Sequence, residues 1–208
     1  MGSRPPGRPP GGKAALTPPE SGGAPDAPGT PFGHGAGLVV RPATEADVPA
    51  VVELLAAVAA EGRWLGTEDP VDRGGRADQL RADLRATAGV ARLVATLDGE
   101  IVGHLGLDLA ATGVTNLGMF VAAAWRGRGV GTALVAAAVE EARRWGSHKM
   151  ALQLWPHNQA ARTLYLRFGF VEEGRLRRHY RRRDGALWDA LVMGLVLDED
   201  SPGSPYEG

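Results

Sequence analysis

WRGRGVGTAL, residues 125–134, places Gly127, Gly129 and Gly131 within five positions and runs directly into an alanine-rich stretch of helical period. At the start of a helix about four N–H groups lack a partner and the aligned peptide dipoles leave roughly half a positive charge. Glycines let an anion approach those amides closely. Three alternating glycines after a strand therefore predict a pyrophosphate cradle, with Arg126 and Arg128 adding charge beside it. A dinucleotide fingerprint beginning at Gly127 would need glycine where Thr132 stands. The phosphate loop of nucleotide hydrolases would need a lysine that Gly131-Thr132-Ala133 lacks.

The chain on either side reads as a mixed series. Leu38 to Arg41 is a short apolar run ended by Pro42, an expected edge strand. Thr44 with Asp47 resembles a capping box, and Val48, Val51, Leu55 and Val58 follow at helical spacing to about Glu61. A second helix is expected over about residues 76–88, after a polar, Gly-rich loop holding Trp64. From Val90 the period becomes two: VARLVATL, the Asp98-Gly99 turn and EIVGHLGLDL predict a hairpin, with TNLGMFVA as the next strand. Beyond the glycine segment come a helix stopped by Gly146, the strand KMALQLW, a helix from Asn158 to Phe168, and a last hairpin turning at Asp184-Gly185.

The 208 residues, 44% hydrophobic, suit one globular domain, placed at 37–197. Half of residues 1–36 are Gly or Pro with no apolar period, so a disordered leader is expected there, and a flexible acidic tail over 198–208. No run approaches a membrane span and no secretory core is present, so a soluble cytoplasmic protein is expected. Without cysteine, and with five histidines at no ligand spacing, neither disulfides nor a metal site is expected. A net charge of -1 gives no global attraction to nucleic acid.

Arg126-Gly127-Arg128-Gly129-Val130-Gly131 fits the pattern R/Q-x-x-G-x-G/A, and Asn158-x-x-Ala161-x-x-Leu164-Tyr165 followed by RFGF matches a second motif of the same family. In these motifs and in its β-αα-βββ-α-β-α-ββ order, the chain resembles the GCN5-related N-acetyltransferase (GNAT) superfamily over about residues 38 to 197. The ending GFVEEGRLRRHYRRRDGALWDALVMGL is similar to the branch holding amino-acid and small-amine acyltransferases and ribosomal-protein acetyltransferases. The resemblance implies an α/β (α+β) fold with a mixed, mostly antiparallel sheet of about seven strands flanked by about four helices. It implies acetyl-CoA as cofactor and transfer of acetyl to a primary amine by direct attack in a ternary complex, with dimers frequent in the family.

Roles carry over by position. Amides from Arg126 through Val130 and Gly131, with Thr132, should hold the pyrophosphate. Met119, Phe120 and Val121 lie on the strand that pairs with the pantetheine arm, and Asn158 and Ala161 belong to the second coenzyme motif. Tyr165 matches the acid that protonates the leaving thiolate. Such a reaction needs an acid near sulfur, a base near nitrogen and a donor to the carbonyl oxygen. The family's glutamate on the strand before the cradle is replaced by Asn116, which leaves Glu68, Asp108 and His104 as candidate bases. Trp64, Glu68 and Asn116 are expected on the acceptor side. Six arginines between Arg175 and Arg183 read as a strand that could meet a substrate carboxylate, RNA phosphates or an acidic protein. The alternative functions are acetylation of a ribosomal-protein N-terminus, or a noncatalytic acyl-coenzyme sensor or RNA-associated module.

Overall fold

The computed structural model describes residues 32–33 and 37–198. Eight strands form one sheet in the order β1-β2-β3-β4-β5-β6-β8-β7. The strands are β1 (Phe32–Gly33), β2 (Leu38–Pro42), β3 (Val90–Leu97), β4 (Glu100–Leu109), β5 (Val114–Val121), β6 (Lys149–Leu154), β7 (Val171–Arg181) and β8 (Leu187–Val196). The helices are α1 (Val48–Ala60), α2 (Arg73–Leu84), α3 (Val130–Arg144) and α4 (Gln159–Arg167). The expected element order holds. One strand is added: Phe32–Gly33 pairs antiparallel with β2, opposite Val40 and Val39, at a place read as part of the disordered leader. The rest of that leader, and the tail beyond residue 198, lie outside the described residues. Among the described residues no helix is long and apolar enough to cross a membrane.

Local chemistry sets the boundaries. Asp98 and Gly99 both take positive φ, 49° and 87°, the handedness a tight hairpin between β3 and β4 requires. α2 begins three residues earlier than its apolar period suggests, because the Asp72 carboxylate caps it by accepting the Gly75 amide at 3.0 Å. The start of α1 is fixed by Asp47, which accepts from the Thr44 amide at 2.7 Å and is gripped by both Arg41 guanidinium nitrogens, at 2.7 and 2.8 Å.

The two faces of the sheet are covered differently. α1 and α2 pack Val48, Val51, Val52 and Leu80 against Val94, with Phe120 beside them. On the opposite face α3 presents Ala133, Ala137, Ala138 and Ala142, all buried, so the helix settles close onto Leu105, Leu107 and Leu117. The one parallel pairing is short: β5 meets β6 only at Val114–Asn116 opposite Lys149–Ala151. Beyond those residues the strands part, while β5 keeps β4 as partner as far as Val121 and β6 keeps β8 as far as Leu154. The sheet therefore opens as a wedge, whose mouth is where the glycine segment leaves β5.

Candidate active site

The cradle is built at that mouth. β5 ends at Val121, a 3-10 turn over Ala123–Trp125 carries the chain onward, and α3 starts at Val130 with Gly129 as its cap. Gly127 and Gly129 have φ of 72° and 88°, where any other L-residue would bear a cost of roughly 1–2 kcal/mol. A Cβ at either would meet nothing within 4 Å, so glycine there serves the backbone conformation and leaves its outer side open. Gly131 is needed for a different reason: its Cβ would lie 2.9 Å from Leu164 Cδ2 and 3.4 Å from Met119 Cε. Among the described residues the amides of Gly127 to Thr132 find no backbone acceptor, and Ala133 is the first to do so, donating to Gly129 O at 3.0 Å. Open amides at a helix start, with nothing crowding them, fit a pyrophosphate.

A cavity of about 1280 Å³ follows the cradle and continues through the wedge between β5 and β6. On the α3/α4 side it is lined by Gly127, Gly129, Gly131, Thr132, Asn158 and Ala161. Met119, Phe120, Val121 and Tyr165 border its middle. On the α1/α2 side it passes His104 and Asp108, with Val52, Leu55 and Leu80 as an apolar wall. Asn158 caps α4, its Oδ1 accepting the Ala161 amide at 3.1 Å, which leaves the carboxamide nitrogen for a ligand.

Arg126 departs from expectation. Its guanidinium does not reach into the cradle but forms a two-point ion pair with Glu61, at 2.7 and 2.6 Å, while Nε donates to Val121 O at 3.0 Å. Its charge is thereby matched by a carboxylate, and the Arg126 hydrogen bond holds the Glu61 carboxyl below its ordinary range. Trp64 Nε1 donates to the same carboxylate at 2.6 Å, and its ring lies under Arg63 and beside Arg126 and His157. Arg128 also turns away, stacking 5.0 Å from the Trp125 ring centroid, and the Val130 side chain is buried in the core. What Arg128 and Val130 offer the cradle is main chain.

The candidate bases separate. Glu68 does not line the cavity: its carboxylate accepts the Arg183 amide at 3.1 and 3.2 Å and lies 3.6 Å from Arg182 Nε. Asp108 borders the cavity but is paired with Arg92 at 2.8 Å. Asn116 is exposed, in register with Asp108 and Ala151 at the closed end of the wedge, outside the cavity lining. His104 lies against the cavity, stacked on Phe120 with centroids 5.1 Å apart, and neither ring nitrogen has a partner among the described residues. Burial, with the Arg92 charge adding to it, pushes its pKa down to about 4, so the ring is neutral near pH 7. Tyr165 is buried against Phe170, and burial raises its phenol well above the ordinary value, so it keeps its proton.

Three of the six arginines between Arg175 and Arg183 are engaged by other parts of the molecule, and only Arg182 is buried. Arg175 pairs with Asp189 at 2.7 Å. Arg182, only 5% exposed, lies 4.4 Å from the Trp188 ring centroid and donates to Leu65 O at 3.0 Å. Arg183 donates to the carbonyls of Asp69 and Pro70, at 3.0 and 3.2 Å. The loop between α1 and α2 is thus clamped at one end by Arg126 and at the other by Arg182 and Arg183. No sequence periodicity signals these contacts, which join residues more than sixty positions apart. Tyr180, whose hydroxyl donates to Gln153 Oε1 at 2.7 Å on the cavity wall, belongs to the same group.

A family model described as acetyltransferase (GNAT) family matches residues 56–170. The chain is 29% identical over 164 residues to the L-amino acid N-acetyltransferase AaaT of Escherichia coli, covering 76% of this chain and 98% of that one. It superposes with a TM-score of 0.69 and 29% identity on the ribosomal-protein-alanine N-acetyltransferase of Brucella melitensis, covering 76% and 99% of the two chains. It also superposes, with a TM-score of 0.71 and 23% identity over 82% of this chain and 99% of the other, on yncA of Salmonella typhimurium, solved with its cofactor acetyl-CoA.

Proposed function

The chain belongs to the acetyltransferase (GNAT) family and is an acetyl-CoA-dependent acyltransferase; on that premise we propose that it acetylates the primary amine of a small molecule of the amino-acid class. The observation that carries this reading is the single cavity joining the open glycine amides, the Tyr165 phenol and an apolar acceptor end under α1 and α2. The acceptor end is roofed by a loop clamped at both ends, which suits a compact substrate better than a protein chain. The relative whose name specifies free amino acids matches over nearly its full length.

Acetyl-CoA supplies the acetyl group as a thioester, and the amides of Gly127 to Thr132, with Asn158, hold its pyrophosphate and pantetheine arm. The main chain of Met119, beyond the last β6 pairing at Asn116, orients the arm and offers an N–H to the carbonyl oxygen as charge develops there. Tyr165, kept protonated by burial, gives its proton to the departing thiolate. His104 takes the proton of the attacking amine: Glu68 and Asp108 are engaged by arginines, whereas its imidazole is neutral and unpartnered. A base this weak works only on an acceptor that arrives as the free amine, so turnover rises with pH as the acceptor deprotonates. No covalent enzyme intermediate is needed.

The test is thiol release from acetyl-CoA across free amino acids, polyamines, aminoglycosides and short peptides with free N-termini. Response confined to amino acids is expected. Response confined to peptides would move the assignment to protein N-termini, and silence in a protein whose melting temperature still rises with acetyl-CoA would leave a coenzyme sensor.

A further inference from the structure

Four arginines line the cavity, Arg76, Arg92, Arg126 and Arg167. Two are neutralised. Arg92 is held by Asp83 and Asp108, at 2.9 and 2.8 Å, and donates to the carbonyls of Ala91 and Leu107. Arg126 is held by Glu61. The other two have no carboxylate partner among the described residues. Arg167 closes α4, on the coenzyme side of the sheet. Arg76 stands in the first turns of α2, on the acceptor side, and its only polar partner there is the Thr67 hydroxyl, accepting from Nη2 at 3.0 Å.

Arg76 is exposed at the rim of the acceptor side, hydrated and with no carboxylate partner among the described residues: its fork is shaped for two oxygens of one carboxylate, and Thr67 occupies a single donor. We propose that Arg76, steadied by Thr67, binds the carboxylate of the acceptor, which is therefore an α-amino acid with an apolar side chain lying against Val52, Leu55 and Leu80. This rests on the acetyltransferase reading above and narrows it. The sequence had pointed to the six arginines between Arg175 and Arg183 for this task, but none of them lines the cavity, and Arg182 and Arg183 are engaged by loop carbonyls and Glu68. Among the described residues, Arg76 is left as the arginine lining the acceptor side without a carboxylate partner.

The experiment compares leucine with isoamylamine, the same skeleton without its carboxylate, at saturating acetyl-CoA, in wild-type protein and in Arg76→Ala and Arg76→Lys. The comparison is between proteins for each amine, so differences in amine basicity cancel. Arg76→Ala should raise KM for leucine by about 10- to 100-fold, the worth of a charge-assisted pair, and leave isoamylamine within about twofold. Arg76→Lys should fall between, keeping the charge without the fork. An equal rise for both amines would assign Arg76 to holding the loop and overturn the proposal, as would no change for either. Calorimetric titration of leucine into protein saturated with coenzyme A separates this from the parent reading. Binding that Arg76→Ala abolishes upholds the carboxylate site even where no amine is acetylated, and absence of leucine binding to wild-type protein overturns it.

Discussion

Arg126, in the glycine segment after β5, and Glu61, at the end of α1, form a two-point ion pair at 2.7 and 2.6 Å that joins that segment to the loop between α1 and α2. Arg126→Ala would leave the Glu61 carboxylate without its cation, accepting from Trp64 alone, and would release the Val121 carbonyl at the start of the glycine segment. Coenzyme affinity should fall about tenfold, and Glu61→Ala in the same chain should restore part of it. A double-mutant cycle on coenzyme dissociation constants reads the coupling, expected at about 1–2 kcal/mol. Additive effects would show that the pair does not link the two loops.

The glycines answer to two different constraints, positive φ at Gly127 and Gly129 and a close contact at Gly131, and should fail differently. Gly129→Ala forces a side chain into left-handed backbone and should lower stability by about 1–2 kcal/mol, read by denaturant unfolding. Gly131→Ala presses on Leu164, one residue from Tyr165, so its effect should appear in kcat as α4 shifts. A Gly131→Ala enzyme with unchanged kcat would show that α4 yields without moving the phenol.

Two pH windows of stability should be separable. The Asp47 carboxyl is held at about 2 against an ordinary 3.8, chiefly by its hydrogen bond from Arg41. It contributes about 2 kcal/mol above pH 3.8, lost as the pH falls toward 2. His104 is buried neutral, its pKa taken from 6.5 to about 4. The unfolded chain therefore binds the extra proton first, and stability falls between pH 6.5 and 4 by about 3 kcal/mol. Urea unfolding across this range should show the upper loss vanish in His104→Phe and the lower one vanish in Asp47→Asn.

Much of the fold was legible because its signals are local: the Asp98-Gly99 turn, the helical period after Thr44 and the glycine segment are each decided within a dozen residues. The start of α2 was missed because Gly74 and Gly75 mask it, and only the Asp72 cap reveals it. The glycine segment and the Asn158-to-Tyr165 spacing could be read from the chain, and both border the cavity. The partners of Glu68, Arg126 and Arg182 could not, since pairing across the sheet and between loops leaves no period in the chain. Arg76 carried no motif at all, and its interest arises only once the arginines around it are seen to be matched.

Tyr165→Phe should lower kcat by about 10²–10⁴ while coenzyme affinity stays unchanged, because the ring still fills its place and only the proton is lost. Rapid-quench turnover together with calorimetric coenzyme binding distinguishes this from misfolding. Unchanged kcat would remove the phenol from the chemistry.

The most direct test of the central claim is product identity: wild-type protein incubated with carbon-labelled acetyl-CoA and a mixture of free amino acids, followed by NMR. The account predicts a new labelled amide carbonyl on an apolar amino acid, formed in step with free thiol. Coenzyme that binds and saturates while every amino acid remains unmodified would contradict it.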